Sequence, residues 1–138
     1  LRRETGDKSY RPLEEALALA ETFGGNDPRL AASLAGLAQL LEVEGSLQRA
    51  EQLYGRCLEV AERAFGPEDG RLAPLLDARA RVTAALGKSG ETRDLLARAL
   101  SIRKKALGPG NPETAMSLVA LLLWRWRHRT QVPDWRKS

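Results

Sequence analysis

Side chains that could do chemistry are few in this chain, and their spacing points away from catalysis. One histidine, His128, and one cysteine, Cys57, leave no His-based triad and no multi-histidine metal site to assemble. The carboxylates are scattered among Lys and Arg, as on solvated helix faces, rather than set apart as an acid and base pair. Gly24-Gly25 and Gly108-Pro109-Gly110 read as turns between helices and do not resemble a phosphate-cradling loop. Cys57 falls on an inward helical face and reads as a small core residue. No catalytic, cofactor-binding or metal-binding residue is expected, and no enzymatic activity. The one suggestive cluster is Trp124-Arg125-Trp126-Arg127-His128-Arg129, where aromatics could stack on bases and arginines could meet phosphates. On a helix those side chains point in different directions and form no single platform. Binding, not catalysis, is the chemistry to look for.

Composition agrees. The chain has 138 residues, the size of one domain, and a 43% apolar fraction dominated by Ala and Leu, with few aromatics. Short side chains suit closely packed helices better than strands. The longest apolar stretch, Ala115 to Trp124 interrupted by Ser117, is about half of the roughly 20 residues a membrane-spanning helix needs. The chain opens at Leu1 with no visible signal peptide, which suggests a processed protein or a segment of a longer one. An intracellular setting is expected. The net charge of +4 sits entirely in the C-terminal segment, where Arg125, Arg127, Arg129, Arg136 and Lys137 face only Asp134. That segment is either a solvated basic tail or a docking element for an acidic partner surface or nucleic acid.

What must position any binding residues is a repeat. Phe23-Gly24-Gly25-Asn26-Asp27-Pro28, Phe65-Gly66-Pro67-Glu68-Asp69-Gly70 and Leu107-Gly108-Pro109-Gly110-Asn111-Pro112 recur at an offset of 42 residues. Ala31/Ala73/Ala115 and Leu34/Leu76/Leu118 hold the same register. A fixed period of this length means stacked supersecondary units, none of which can bury its apolar face alone.

Each unit predicts two helices. Asp27-Pro28 and Asn111-Pro112 place a capping acceptor before a proline at the first helical position, while Asp69-Gly70 keeps the cap without the proline. Ala31, Leu34, Leu37, Ala38 and Leu41 then form one apolar stripe. Gly45 ends it in a left-handed conformation, and Ser46 is expected to cap the next helix, whose inward face carries Leu47, Ala50, Leu53, Tyr54, Cys57, Leu58, Ala61 and Ala64. So short a connection makes the pair antiparallel. The second unit repeats the plan over about 71–86 and 90–107. With a half unit at each end, six helices are expected. Arg79 and Thr83 interrupt the apolar pattern, either as tolerated degeneracy or, for Arg79, by reaching Asp77 or a partner.

The pattern Ser33-Leu34-x-x-Leu37-Ala38, then Ala50-Glu51-x-x-Tyr54-x-x-Cys57-Leu58, then Ala106-Leu107-Gly108-Pro109-x-Asn111-Pro112 resembles the tetratricopeptide repeat in its 42-residue, kinesin-light-chain form. HEAT and armadillo repeats have a similar period, but the small residues Ala38/Ala80 and Cys57/Ala99 favour the tetratricopeptide reading. The resemblance implies an all-α, right-handed superhelical solenoid of antiparallel helix pairs, with a concave groove lined by the first helix of each pair. It also implies that the groove takes linear peptides or partner helices. Groove positions are then Gln39 and Glu42, Asp77 and Arg81, and Leu123, Trp126 and Arg127, with small residues between them. Trp126 could anchor a partner or cover the end of the solenoid; Trp135 could do the latter.

The expected organisation is an arm over 1–10, a repeat domain over 11–130 (units 11–23, 24–65, 66–107 and 108–130), and a basic tail over 131–138. The expected function is a non-catalytic protein-interaction module acting as scaffold or structural subunit. A transient adaptor for linear peptide motifs, or an RNA-associated repeat using the basic end, are the alternatives. No cofactor and no membrane insertion are expected. The partner is a protein, through a helix or extended segment of a larger complex.

Overall fold

The computed structural model describes residues 2–129, with side chains from residue 12 onward. It contains α1 (Arg2–Glu21), α2 (Pro28–Val43), α3 (Leu47–Phe65), α4 (Leu72–Ala85), α5 (Ser89–Leu107) and α6 (Pro112–Arg127), with no strand among the described residues. Each helix packs chiefly on its neighbours in sequence, most extensively inside the pairs α2/α3 and α4/α5. α1 begins inside the stretch expected as an arm. It runs on through Pro12, whose missing N–H forgoes the bond to the Lys8 carbonyl without ending the helix.

The helix starts repeat as their residues do. Asp27 and Asn111 accept from the backbone N–H of Arg29 and Glu113, each ahead of a proline-led first turn. Asp69 makes the same bond to Arg71 N–H, but here the helix starts only at Leu72. Glycine replaces proline at this start, and a Cβ on Gly70 would lie 3.3 Å from the Ala106 methyl, a tight contact with α5. Arg29 then folds over Phe23 and Arg71 over Phe65, 4.4 and 3.7 Å from the ring centroids. Ser46 differs from expectation: it makes no side-chain cap bond to α3. The turn is instead closed from the α2 side, where Gly45 (φ 87°) donates to Glu42 and Ser46 N–H to the Leu41 carbonyl. Gly87 and Lys88 reproduce this turn after α4.

One continuous core runs through the units. Leu30, Leu34, Cys57, Leu58, Leu72, Leu76, Ala99 and Ile102 belong to a single buried cluster reaching from α2 to α5, with Ala20 of α1 at its edge. A second cluster gathers Leu13, Ala38, Leu41, Ala50, Tyr54 and Val82. Charges cross between successive units at the surface. Arg56 meets Glu21, Arg98 meets Glu62 at 3.0 Å and Lys88 meets Glu51 at 2.7 Å, while Lys105 meets Glu68 within the second unit. Each such pair is worth little alone.

The two departures in α4 are compensated on facing helices. Thr83 is fully buried, and its hydroxyl lies 2.8 Å from that of Thr92 on α5; the equivalent positions in the preceding unit are Leu41 and Ala50. Each hydroxyl also reaches a backbone carbonyl, Thr83 to Ala80 and Thr92 to Lys88. A large–small apolar pair has become two medium-sized, hydrogen-bonded residues. Arg79 does not reach Asp77. Its guanidinium lies over Gly55 of α3, where a Cβ would come within 3.3 Å, and its Nε has no partner.

The threonine pair makes a prediction. Thr83→Leu alone should overpack against Thr92 and lower stability by about 1–3 kcal/mol. Adding Thr92→Ala recreates the Leu41–Ala50 pair and should recover most of that loss. Urea denaturation of the two singles and the double checks it; an additive result would mean that the residues do not act as a pair.

Candidate protein-binding groove

Successive first helices, α2, α4 and α6, face a common concave side, and the gap between α4 and α6 is open. It encloses about 650 Å³. Ala80, Ala84, Leu96, Met116, Ala120 and Leu123 supply its apolar lining, with Trp124 at one end. Asp77, Arg81, Arg103, Glu113, Arg127 and His128 supply its charged and polar groups. Small residues on α4 make the gap: Ala80 and Ala84 sit one turn apart, and neither side chain is long enough to reach α6.

The polar groups are largely matched to each other. Arg103 of α5 is more buried than its partner Asp77, and its Nη1 donates both to Asp77 Oδ2 and to Ser117 Oγ, at 2.5 Å each. It thus ties α4, α5 and α6 together beneath the groove. The equivalent residue in the preceding unit is Ala61. Arg81 reaches back to α2, where its Nε and Nη2 donate to Glu42 at 2.5 and 2.9 Å. Tyr54 OH adds a third bond to Glu42 at 3.1 Å. The Arg81 guanidinium holds the Glu42 carboxyl below its ordinary range, against the opposing effect of burial.

A depressed carboxylate contributes stability that is present above its unfolded-state pKa and lost as pH falls through the folded one. Arg81→Ala should therefore move the Glu42 titration upward and shift the acid limb of the stability profile to higher pH. A carboxyl NMR titration of both forms reads this directly, and an unmoved Glu42 would sink the assignment.

Of the positions expected on the concave face, Asp77, Arg81, Leu123 and Arg127 line this groove together. Glu42 is beside it through Arg81. Gln39 is exposed on α2 and Trp126 is 61% exposed on α6, and neither lines the gap. The reason for Trp126 is geometric. Its equivalent, Glu42, points forward from α2 to the next first helix, so Trp126 points forward from α6, away from α4. Arg129 lies 4.6 Å from its ring. Trp124 faces inward instead and stacks on His128, with centroids 4.2 Å apart and planes 15° from parallel. Its Nε1 is buried without a partner. Sequence reasoning missed Arg103, Ser117 and Met116. The exchange of Ala61 for Arg103 across one repeat was the available signal. The tail over 131–138 and Trp135 lie outside the described residues.

Paired helices at a 42-residue period, with glycine turns inside and between the pairs and a concave face of first helices, define a helical-repeat solenoid. The profile of the tetratricopeptide repeat matches residues 30–69 and 75–113, more than half of the chain. The protein belongs to the tetratricopeptide repeat family, with repeats of the kinesin-light-chain type. Among solved structures, the crystal structure of BtubC (BKLC) from P. vanneervenii superimposes with a TM-score of 0.74 at 22% identity. The alignment covers 92% of this chain and 51% of that one, so this chain spans about half the length of that protein. No curated protein matches the sequence. Repeats of this family indicate a protein–protein interaction module and are generally non-catalytic. No helix among the described residues is long and apolar enough to cross a membrane.

Proposed function

We propose that this chain is a non-catalytic interaction module that acts as a scaffold or structural subunit of a larger assembly, and that it receives a helix or extended segment of a protein partner between α4 and α6. The observation that carries this reading is the groove itself: an apolar gap of about 650 Å³ whose rim charges are mostly satisfied within the protein. A preordered apolar surface of this kind loses little entropy on docking. The internal ion pairs leave few groups to recognise a charged motif, which favours a fixed partner over a reader of many short peptides.

The test fills the gap from the α4 side. Ala84 is exposed, so Ala84→Trp should leave the fold intact while occupying the groove. Affinity capture from native cells with the unaltered chain is expected to give one stoichiometric set of partners that Ala84→Trp loses. Many substoichiometric partners would favour the adaptor reading instead. Partners retained by Ala84→Trp would place binding elsewhere. Capture that collapses in moderate salt and brings down RNA would favour the nucleic-acid alternative.

A further inference from the structure

The last unit lacks two contacts that close the surface of the earlier ones. Between α2 and α4, the first helices are bridged by the Glu42–Arg81 ion pair. The equivalent residues between α4 and α6 are Ala84 and Leu123, which cannot form one. At the helix starts, Arg29 and Arg71 are drawn onto Asp27 and Asp69 and lie over Phe23 and Phe65. Their equivalent in α6 is Glu113, with Asn111 and Leu107 in the places of the aspartate and the phenylalanine. Its carboxylate is therefore left outside any such clamp.

What remains on α6 is a single stripe facing the groove. Glu113, Met116, Ala120, Leu123 and Arg127 all line the gap, and their alternating spacing of three and four residues puts them on one face of the helix. The stripe is apolar in the middle, acidic in the first turn and basic in the last. Neither Glu113 nor Arg127 has an ion-pair partner among the described residues. Asp77, Arg81 and Arg103, the other charges of the groove, are all paired within the protein.

These features select a helix over an extended segment and give it a direction. An extended chain would carry unpaired backbone N–H and C=O groups into an apolar gap, whereas a helix satisfies them internally. The alternating spacing is also the seam into which a second helix packs its side chains. A helix antiparallel to α6 brings its own first turn to Arg127 and its last turn to Glu113. An acidic first turn and a basic last turn are what the helix dipole favours. Complementarity to the groove and the occupant's own stability thus ask for one charge order. A parallel helix would need a basic start and an acidic end, against its dipole.

We propose that the occupant of the α4/α6 groove is an amphipathic helix of another protein, running antiparallel to α6. Its acidic first turn meets Arg127, its basic residues about four turns later meet Glu113, and an apolar stripe between them packs on Met116, Ala120 and Leu123. This rests on the groove reading above and adds the form, direction and charge order of the partner.

The experiment is selection on the whole chain from a displayed library of helices of about 18 residues, long enough to span both charges. Every member carries one apolar stripe, with Glu, Lys or Ala drawn at random in its first and last turns. Recovered helices are expected to be acidic at the start and basic at the end. A chain carrying Glu113→Arg with Arg127→Glu should recover the reverse order. Either exchange alone should weaken a recovered wild-type binder about fivefold in fluorescence anisotropy. Both side chains are exposed, so helical circular dichroism should not change. Binders without a charge order, or with an order that the exchanged chain does not reverse, would overturn the proposal. If Ala84→Trp still removes those binders, the groove reading stands and only the direction and charge order fall. If no recovered binder is lost on Ala84→Trp, the helix is overturned, and the partner capture described above still tests the groove by itself.

Discussion

Leu76→Asp is expected to unfold the entire chain rather than one helix pair. Leu76 is completely buried and belongs to the cluster shared by α2, α3, α4 and α5. The substitution removes a large apolar side chain and places a carboxylate with no available cation in a dry core. The first effect alone costs about 2–5 kcal/mol, and an unpaired buried charge adds to it. A domain of this size has a total stability of roughly 5–15 kcal/mol. Because each repeat is stabilised mainly by its neighbours, the loss should spread along the array. Circular dichroism in urea should show either no native baseline or a single transition at much lower denaturant, and Leu34→Asp should behave alike. A melt in which about half of the helical signal survives would show that the units fold independently.

The second large effect concerns the charge beneath the groove. Arg103→Ala should lower stability by about 2 kcal/mol and leave Asp77 facing Ser117 without a cation. Breaking a fully buried pair costs about 3–5 kcal/mol, and the partial exposure of Asp77 reduces that figure. Removing both partners, with Asp77→Ala added, should recover most of the loss, because the penalty lies in the stranded charge. Denaturation of the two singles and the double measures it. If Arg103→Ala is neutral, the bond network does not hold α4, α5 and α6 in register. If the double is as unstable as the single, packing by the arginine stem is the larger effect.

The repeat made the fold legible. The 42-residue offset, the Asp/Asn–Pro starts and the glycine turns predict six helices, and six are present among the described residues, five of them starting within two residues of the expected positions. Exposure was less legible. Leu34, Leu76 and Leu118 are equivalent in sequence, yet only the first two are covered, because coverage depends on a following helix and not on the residue itself. Trp126 shows the same limit for the site. Alignment places it with Glu42, but a forward-pointing side chain lines a groove only where another first helix stands ahead of it. Arg79 and Thr83 were visible as departures, whereas Gly55 and Thr92, which accommodate them, were not. Compensation lies across a helix–helix contact, and no period within one chain reveals it.

The hydroxyl pair of Thr83 and Thr92 has a consequence for assembly of the chain. Units this similar offer each first helix two possible mates as the protein emerges and collapses. If α4 took α3, Thr83 would meet Ala50, leaving a gap and a hydroxyl that has lost its contact with Thr92. If α2 took α5, Leu41 would press on the Thr92 hydroxyl. The pair therefore acts as a key that tells the second hairpin from the first. Mispairing between near-identical neighbours is a characteristic failure of repeat proteins, and two buried oxygen atoms stand against it here at almost no cost in core volume.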